Sequence, residues 1–131
     1  MNEQRGSTVY TPLRRRGDFH RVHAQGQRKG DTLLQVRVLP TPPRVPRTTP
    51  IRLGILASKK YGGAVERNRF KRVVRAALRA LAEELQPGWD VLVLPRESRE
   101  AKMPEIRDSL RHLLRELGVL HAADARNAEG G

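Results

Sequence analysis

The chain is 131 residues long, contains no cysteine and carries a formal net charge of +12. That length suits one domain with a real hydrophobic core, and the missing thiols exclude disulfides, thiolate metal sites and a cysteine nucleophile. No apolar run approaches the ~18 residues of a membrane span, and the polar N-terminus lacks a signal peptide's apolar region. The expectation is a cytoplasmic protein with no membrane partner.

The charge is unevenly spread. Residues 1–50 sum to +7, residues 51–79 to +8 and the remainder to −3. Solubility alone needs no such asymmetry; a polyanion partner explains it better. Of the 26 basic residues, 21 are Arg, whose planar fork grips phosphate oxygens in pairs, although a biased genomic base composition would enrich Arg too.

In chain order, residues 1–12 are polar and aperiodic and read as a flexible tail. A single RNA-binding domain is expected over 13–118, with a second tail at 119–131. Arg14, Arg15 and Arg16 form a basic arm, either solvated or touching phosphate. Asp18 reads as the N-cap of a two-turn helix stopped by Gly26, with Phe19, Val22 and His23 on one side. From Thr32 to Leu39 the residues alternate: Leu34, Val36 and Val38 point one way, Gln35 and Arg37 the other, as in a half-buried strand. Five prolines between Pro40 and Pro50 make a stiff, exposed connection. Ile51 to Ser58 resumes strand character, and pairing with Thr32 to Leu39 as an antiparallel hairpin is the simplest expectation.

Ser58 to Arg79 holds eight basic residues against one acid, Glu66. On a helical wheel Phe70, Val73, Val74, Ala77, Leu78, Leu81 and Leu85 share one side; Asn68, Arg69, Lys71, Arg72, Arg75 and Arg79 share the other. Such a face repels itself unless a polyanion neutralises it. The chain continues with Asp90 to Leu94, apolar at four successive positions as in a strand covered on both faces. A last helix starts near Pro104 and buries Ile106, Leu110, Leu113, Leu114 and Leu117; its Arg107, Arg111 and Arg115 share their surface with acids and read as a solvated face. Asp18, Asp31, Glu66 and Asp90 lie on different elements. The four histidines lack zinc-ligand spacing, and no serine has the context of a nucleophile. No catalytic and no metal-binding residue is assigned.

Ser58-Lys59-Lys60, Gly62, Ala64-Val65, Arg67-Asn68-Arg69, Lys71-Arg72 and Arg75 together resemble the signature of the protein subunit of bacterial ribonuclease P. The segment from Arg16 to Gly26, the Arg52-Leu53-Gly54 triplet and the Trp89 to Arg96 stretch agree with it, so the resemblance covers roughly Leu13 to Leu117. It implies an α/β fold, an α+β two-layer sandwich of αβββαβα type. Its sheet would be mixed and four-stranded, and its βαβ crossover left-handed, against the usual right-handed preference. It further implies an enzyme whose RNA subunit cleaves the 5′ leader from precursor tRNA with bound Mg²⁺, while the protein binds that RNA and the leader and aids Mg²⁺ binding. By position, Lys59, Lys60, Arg67, Asn68, Arg69, Lys71, Arg72 and Arg75 would contact the ribonuclease P RNA. Phe19, His23, Gln35 and Arg37 would hold the 5′ leader, with Phe19 either stacking on a base or packing its helix. His23 and Arg37 stand where family members often carry aromatics, which favours a grip by charge and hydrogen bonds. The competing reading is a structural or ribosomal RNA-binding protein with no part in tRNA maturation.

Overall fold

The alternation in the central segment becomes strand β3 (Leu34–Pro40), whose Leu34, Val36 and Val38 are buried. In a computed structural model, which describes residues 9–96 and 102–121, β3 is one of five strands. The others are β1 (Tyr10–Pro12), β2 (Gln27–Gly30), β4 (Ile51–Ile55) and β5 (Trp89–Pro95), and the helices are α1 (Arg16–Gln25), α2 (Ala64–Ala80) and α3 (Met103–Glu116). The sheet order is β1-β4-β5-β3-β2. β1 and β5 run parallel to β4, whereas β3 runs antiparallel to both β5 and β2.

Several expectations change. The sheet has five strands rather than four because Tyr10–Pro12, read as tail, forms an edge strand on β4, and the Leu13 N–H continues it to the Leu53 carbonyl at 2.8 Å. Residues 1–8 lie outside the described residues. The β3–β4 hairpin does not form, because β5 lies between the two strands. Val91, Leu92 and Val93 are all buried, so the strand that needs cover on both faces takes the centre. The long proline-rich connection lets β4 skip that position, which a two-residue hairpin turn could not do. At the C-terminal side, Val119 and Leu120 are buried and Leu120 bridges Leu85, so the expected tail begins docked; residues 122–131 lie outside the described residues. Gly118 adopts a φ of 83°, a left-handed turn that ends α3 at little cost for glycine alone.

Alternation gives the sheet two unlike faces. Leu34, Val36, Val38, Ile51, Leu53, Val91 and Val93 pack against Phe70, Val74, Ala77 and Leu78 of α2 and Ile106, Leu110, Leu113 and Leu114 of α3. On the opposite face, Leu92 packs with Val22 of α1 and with Leu13, flanked by Phe19, Leu39 and Leu94. That second cluster is small, and charge anchors α1 beside it.

Asp18 does not cap α1. Arg15 occupies the N-cap, without a side-chain bond, and Asp18 turns inward, 3 % exposed. There it meets Arg44 at 2.9 Å, Arg21 at 3.4 Å and Arg52 at 3.4 Å. Asp90, fully buried, accepts two hydrogen bonds from Arg52 (2.8 and 2.7 Å), one from Arg21 (2.5 Å) and one from the Thr41 hydroxyl (2.9 Å). Arg44 and Arg52 from other segments, with Arg21 one turn along α1, outbid the local backbone N–H groups for the Asp18 carboxylate. Gly54 completes the seat: a Cβ there would lie 2.6 Å from Phe19 Cε1, so only glycine lets the ring cross β4.

Two outcomes test the anchor. Asp90→Ala strands the Arg52 and Arg21 guanidinium groups beneath α1 and should cost about 3–5 kcal/mol in urea unfolding; a loss below about 1 kcal/mol would contradict the arrangement. Burial acts to raise the Asp18 carboxyl, but Arg52, Arg44 and Arg21 outweigh it and hold the group below its ordinary 3.8. The stability this contributes is therefore present above pH 3.8 and lost as pH falls through the lowered value. Melting temperatures of Asp18→Asn should be lower at neutral pH and less acid-dependent than those of the wild type.

Candidate nucleic-acid interface

The apolar stripe of α2 settles on the sheet and thereby turns the basic stripe outward. Asn68, Arg72, Arg75 and Arg79 are exposed at spacing i, i+4, i+7 and i+11, with Arg67, Arg69 and Lys71 half-buried along the flanks. The stripe is about 16 Å long at 1.5 Å per residue. Among the described residues, Lys59, Lys60, Arg67, Lys71, Arg72 and Arg75 form no ion pair. Arg79 turns to Tyr10, with a hydrogen bond of 3.2 Å to its hydroxyl and the guanidinium carbon 5.6 Å from its ring centre, so the edge strand braces the end of α2. The α3 arginines differ, as expected: Arg107 meets Asp108 at 3.1 Å and Arg111 meets Glu84 at 3.2 Å.

A groove of about 550 Å³ opens where the parallel strands β4 and β5 end. Leu56, Ala57, Leu94 and Pro95 supply apolar surface, and His23, Ser58, Lys60, Tyr61 and Arg96 supply the polar groups. The Leu56 N–H bonds the Val93 carbonyl at 2.9 Å, which keeps the two strand ends together. The Tyr61 ring packs 5.4 Å from Phe70 of α2. Burial pushes its phenol up; Arg69 opposes the shift and Glu66 adds to it. His23 is held below its ordinary 6.5 by burial, then by Arg37, His20 and Arg28. At neutral pH its imidazole offers hydrogen bonds rather than charge.

The residues assigned from sequence fall into distinct places. Arg67, Asn68, Arg69, Lys71, Arg72 and Arg75 share α2, and Lys59 lies on the loop before it. Lys60 lines the groove, beside His23. Phe19 lies over Gly54, packed beside Leu92, rather than lining that groove. Gln35 and Arg37 join each other at 2.9 Å, and Arg37 also donates to the His23 carbonyl at the C-terminal turn of α1. A cation there complements the helix dipole. Tyr61, Arg96 and Leu56 were not singled out from sequence; the usable signal was that β4 and β5 are parallel neighbours, whose carboxyl ends favour ligand crevices. Among the described residues no group of three His, Cys, Asp or Glu side chains could hold a metal ion. No helix among the described residues is long and apolar enough to cross a membrane.

A helix with six basic residues against one acid on one sheet face, and a mixed apolar and cationic groove at the strand ends, have the charge pattern of a protein that meets a polyanion. The family model described as Ribonuclease P matches residues 10–118. The ribonuclease P protein component of Herpetosiphon aurantiacus is 36 % identical over 118 residues, covering 89 % of this chain and 92 % of the relative. That of a Pseudanabaena species is 39 % identical over 111 residues, covering 83 % and 92 %. Among solved structures, the Staphylococcus aureus RNase P protein superposes with a TM-score of 0.70 at 25 % identity, covering 84 % of this chain and 97 % of its own. The Thermotoga maritima RNase P protein gives 0.68 at 27 % identity, covering 80 % and 96 %. The chain belongs to the ribonuclease P protein family and serves as the protein subunit of ribonuclease P, an enzyme of tRNA processing.

The α2 stripe yields a direct test. Reversing Arg72 and Arg75 together to Glu should weaken docking to the ribonuclease P RNA at least tenfold and lower the salt slope by about 1–2, because each lost phosphate contact removes ~0.7–0.9 from it. Filter binding across a salt series measures both quantities.

Proposed function

We propose that this subunit works as a two-sided clamp in an enzyme whose RNA subunit makes the cut. The α2 face, with Lys59, docks on the ribonuclease P RNA, and the groove at the ends of β4 and β5 takes the single-stranded 5′ leader of precursor tRNA. The observation that carries the reading is the division of labour in the charge. The α2 stripe is long and Arg-rich, and among the described residues its Arg67, Lys71, Arg72 and Arg75 meet no acid, which suits phosphates of a folded RNA. The groove is narrow and combines Leu56, Leu94 and Tyr61 with Lys60, His23 and Arg96, which suits one strand with splayed bases.

In this scheme no side chain of the protein attacks, protonates or holds the reacting phosphate. Lys60 and Arg96 neutralise leader phosphates, and the Tyr61 ring offers a stacking surface worth ~1–3 kcal/mol per base. Arg37 and Gln35 act indirectly by fixing the C-terminal turn of α1, from which His23 faces the groove. Mg²⁺ would be held mainly by the RNA subunit, the protein assisting by binding leader and RNA together. Electrostatic screening between two polyanions is then its chief contribution, and it matters most when divalent ions are scarce.

Reconstitution tests this reading. The purified protein should leave precursor tRNA intact, and mixing it with the RNA subunit should permit cleavage at a low Mg²⁺ concentration that fails with the RNA alone. Robust cleavage by protein freed of RNA would sink the proposal. Within the reconstituted enzyme, Lys60→Glu and Tyr61→Ala should each raise the dissociation constant for precursor about 5- to 50-fold, in line with one lost stack or phosphate contact. Both should leave affinity for leaderless tRNA within about twofold, since the groove holds only the leader.

A further inference from the structure

The basic arm before α1 and the proline-rich connection have no part in either surface described above. They meet at the start of α1. Arg14, Arg15 and Arg16 are all exposed and form no ion pair among the described residues. Asp18, the acid nearest to them in sequence, lies one turn further on and is already committed to Arg52, Arg44 and Arg21. Arg44 reaches that turn from the proline-rich connection, its side chain still 49 % exposed, with one terminal nitrogen bonded to Asp18 at 2.9 Å and its other donors turned to no protein acceptor among the described residues. The connection is held to deliver it. The Thr41 N–H bonds the Gly88 carbonyl, and two successive turns close from Val45 to Pro42 and from Thr49 to Pro46.

Four exposed arginines from two chain segments thus stand at the start of α1, and of these only Arg44 meets the buried Asp18. The other carboxylate on this sheet face, Asp90, is buried too and saturated by Arg52, Arg21 and Thr41. Apart from Asp18 on Arg44, no acid among the described residues pairs with the cluster, and crowding guanidinium groups at the positive end of a helix raises its repulsion. We propose that Arg14, Arg15, Arg16 and Arg44 form a second phosphate-binding surface, occupied by the upstream part of the leader strand.

This inference rests on the leader lying in the groove. The groove, at the strand ends, takes His23 and Leu94 from the α1 side of the sheet, and the cluster stands at the other end of α1: His23 near the C-terminal end faces the groove, and Arg15 at the N-cap belongs to the cluster. The α2 face lies on the opposite side of the sheet, against the ribonuclease P RNA. A strand leaving the groove across α1 therefore meets the arginines, whereas an RNA seated on α2 does not. The surface has no base-reading pocket and only cationic forks, so it should reward leader length rather than leader sequence.

The test uses reconstituted holoenzyme and three RNAs: leaderless tRNA, a precursor whose short leader ends within the groove, and one with a long leader. The Arg14→Ala/Arg15→Ala/Arg16→Ala triple variant should bind the long-leader precursor about tenfold more weakly than wild type, with a salt slope lower by about 2 for three lost single-strand phosphate contacts at ~0.7 each. Its affinity for the other two RNAs should match wild type. Arg44→Gln, which keeps a hydrogen-bond donor for Asp18, should show a smaller loss of the same kind. Equal loss on all three RNAs would overturn the proposal in favour of the tRNA body or the catalytic RNA as occupant, and no loss on any would leave a merely solvated arm. Lys60→Glu, measured in parallel, separates the two levels: a loss on both precursors supports the groove whatever the triple variant does, and no loss on either counts against the groove itself.

Discussion

Two buried carboxylates, Asp18 and Asp90, hold α1 on the sheet, and every feature on that side of the molecule depends on them. The apolar contact beneath α1 is too small to fix a ten-residue helix: its fully buried members are Leu13, Val22 and Leu92. An isolated helix of that length is marginal in water. Asp90 receives a two-point grip from Arg52 and a further bond from Arg21 of α1, and Asp18 draws Arg44 and Arg52 towards the same helix. Charge and geometry thus replace hydrophobic area. The cost is desolvation of several ions, offset because three of the four carboxylate oxygens are hydrogen-bonded and the fourth, Asp18 Oδ2, lies 3.4 Å from Arg52. Arg52 stays firmly protonated, raised above its ordinary value chiefly by its hydrogen bond to Asp90.

This anchor accounts for motif residues that a reading of RNA contacts leaves unexplained. The Asp18-Phe19 pair, the Arg52-Leu53-Gly54 triplet and Asp90 after Trp89 are far apart in sequence, yet they form one seat. Asp18 and Asp90 bind Arg52, and the Phe19 ring lies over Gly54. Their work is to set where α1 lies, and so where His23 stands in the groove wall. Arg37 repeats the logic at the other end of the helix by holding the His23 carbonyl.

What could be read from the sequence was local. The alternation of Leu34, Val36 and Val38 with Gln35 and Arg37 identified β3 and its two faces, and the wheel of α2 separated Phe70, Val74 and Leu78 from Arg72 and Arg75. Both patterns follow from side-chain direction within one element. Strand order is a different kind of information. Placing β5 between β3 and β4 depends on which strand most needs burial on both faces, and neither β3 nor β4 reveals that alone. Asp18 illustrates the same limit: its sequence position suits a helix cap, but arginines from β4 and the proline-rich connection claim it. The groove escaped for the same reason. Leu56, Tyr61 and Arg96 are unremarkable in sequence and converge only because β4 and β5 run parallel and end together.

The distribution of charge ties fold to function. The apolar core between the sheet and the α2–α3 pair is continuous and well buried, so the fold is stable enough to carry surfaces that repel themselves. On α2 a single acid, Glu66 in the first turn, stands against six basic residues, and on the α1 side Asp18 and Asp90 are buried in the anchor. Three of the five acids on α3 and the turn before β5, by contrast, find basic partners: Glu84 with Arg111, Asp108 with Arg107 and Glu116 with Lys29. Among the described residues, charge is thus paired along α3 and left largely uncompensated on the outer face of α2 and at the start of α1. A molecule built this way gains stability when polyanions bind, since they relieve repulsion that the folded state alone must bear. In the proposed clamp, the protein would then serve as a layer of positive charge between two RNAs that otherwise hold each other apart.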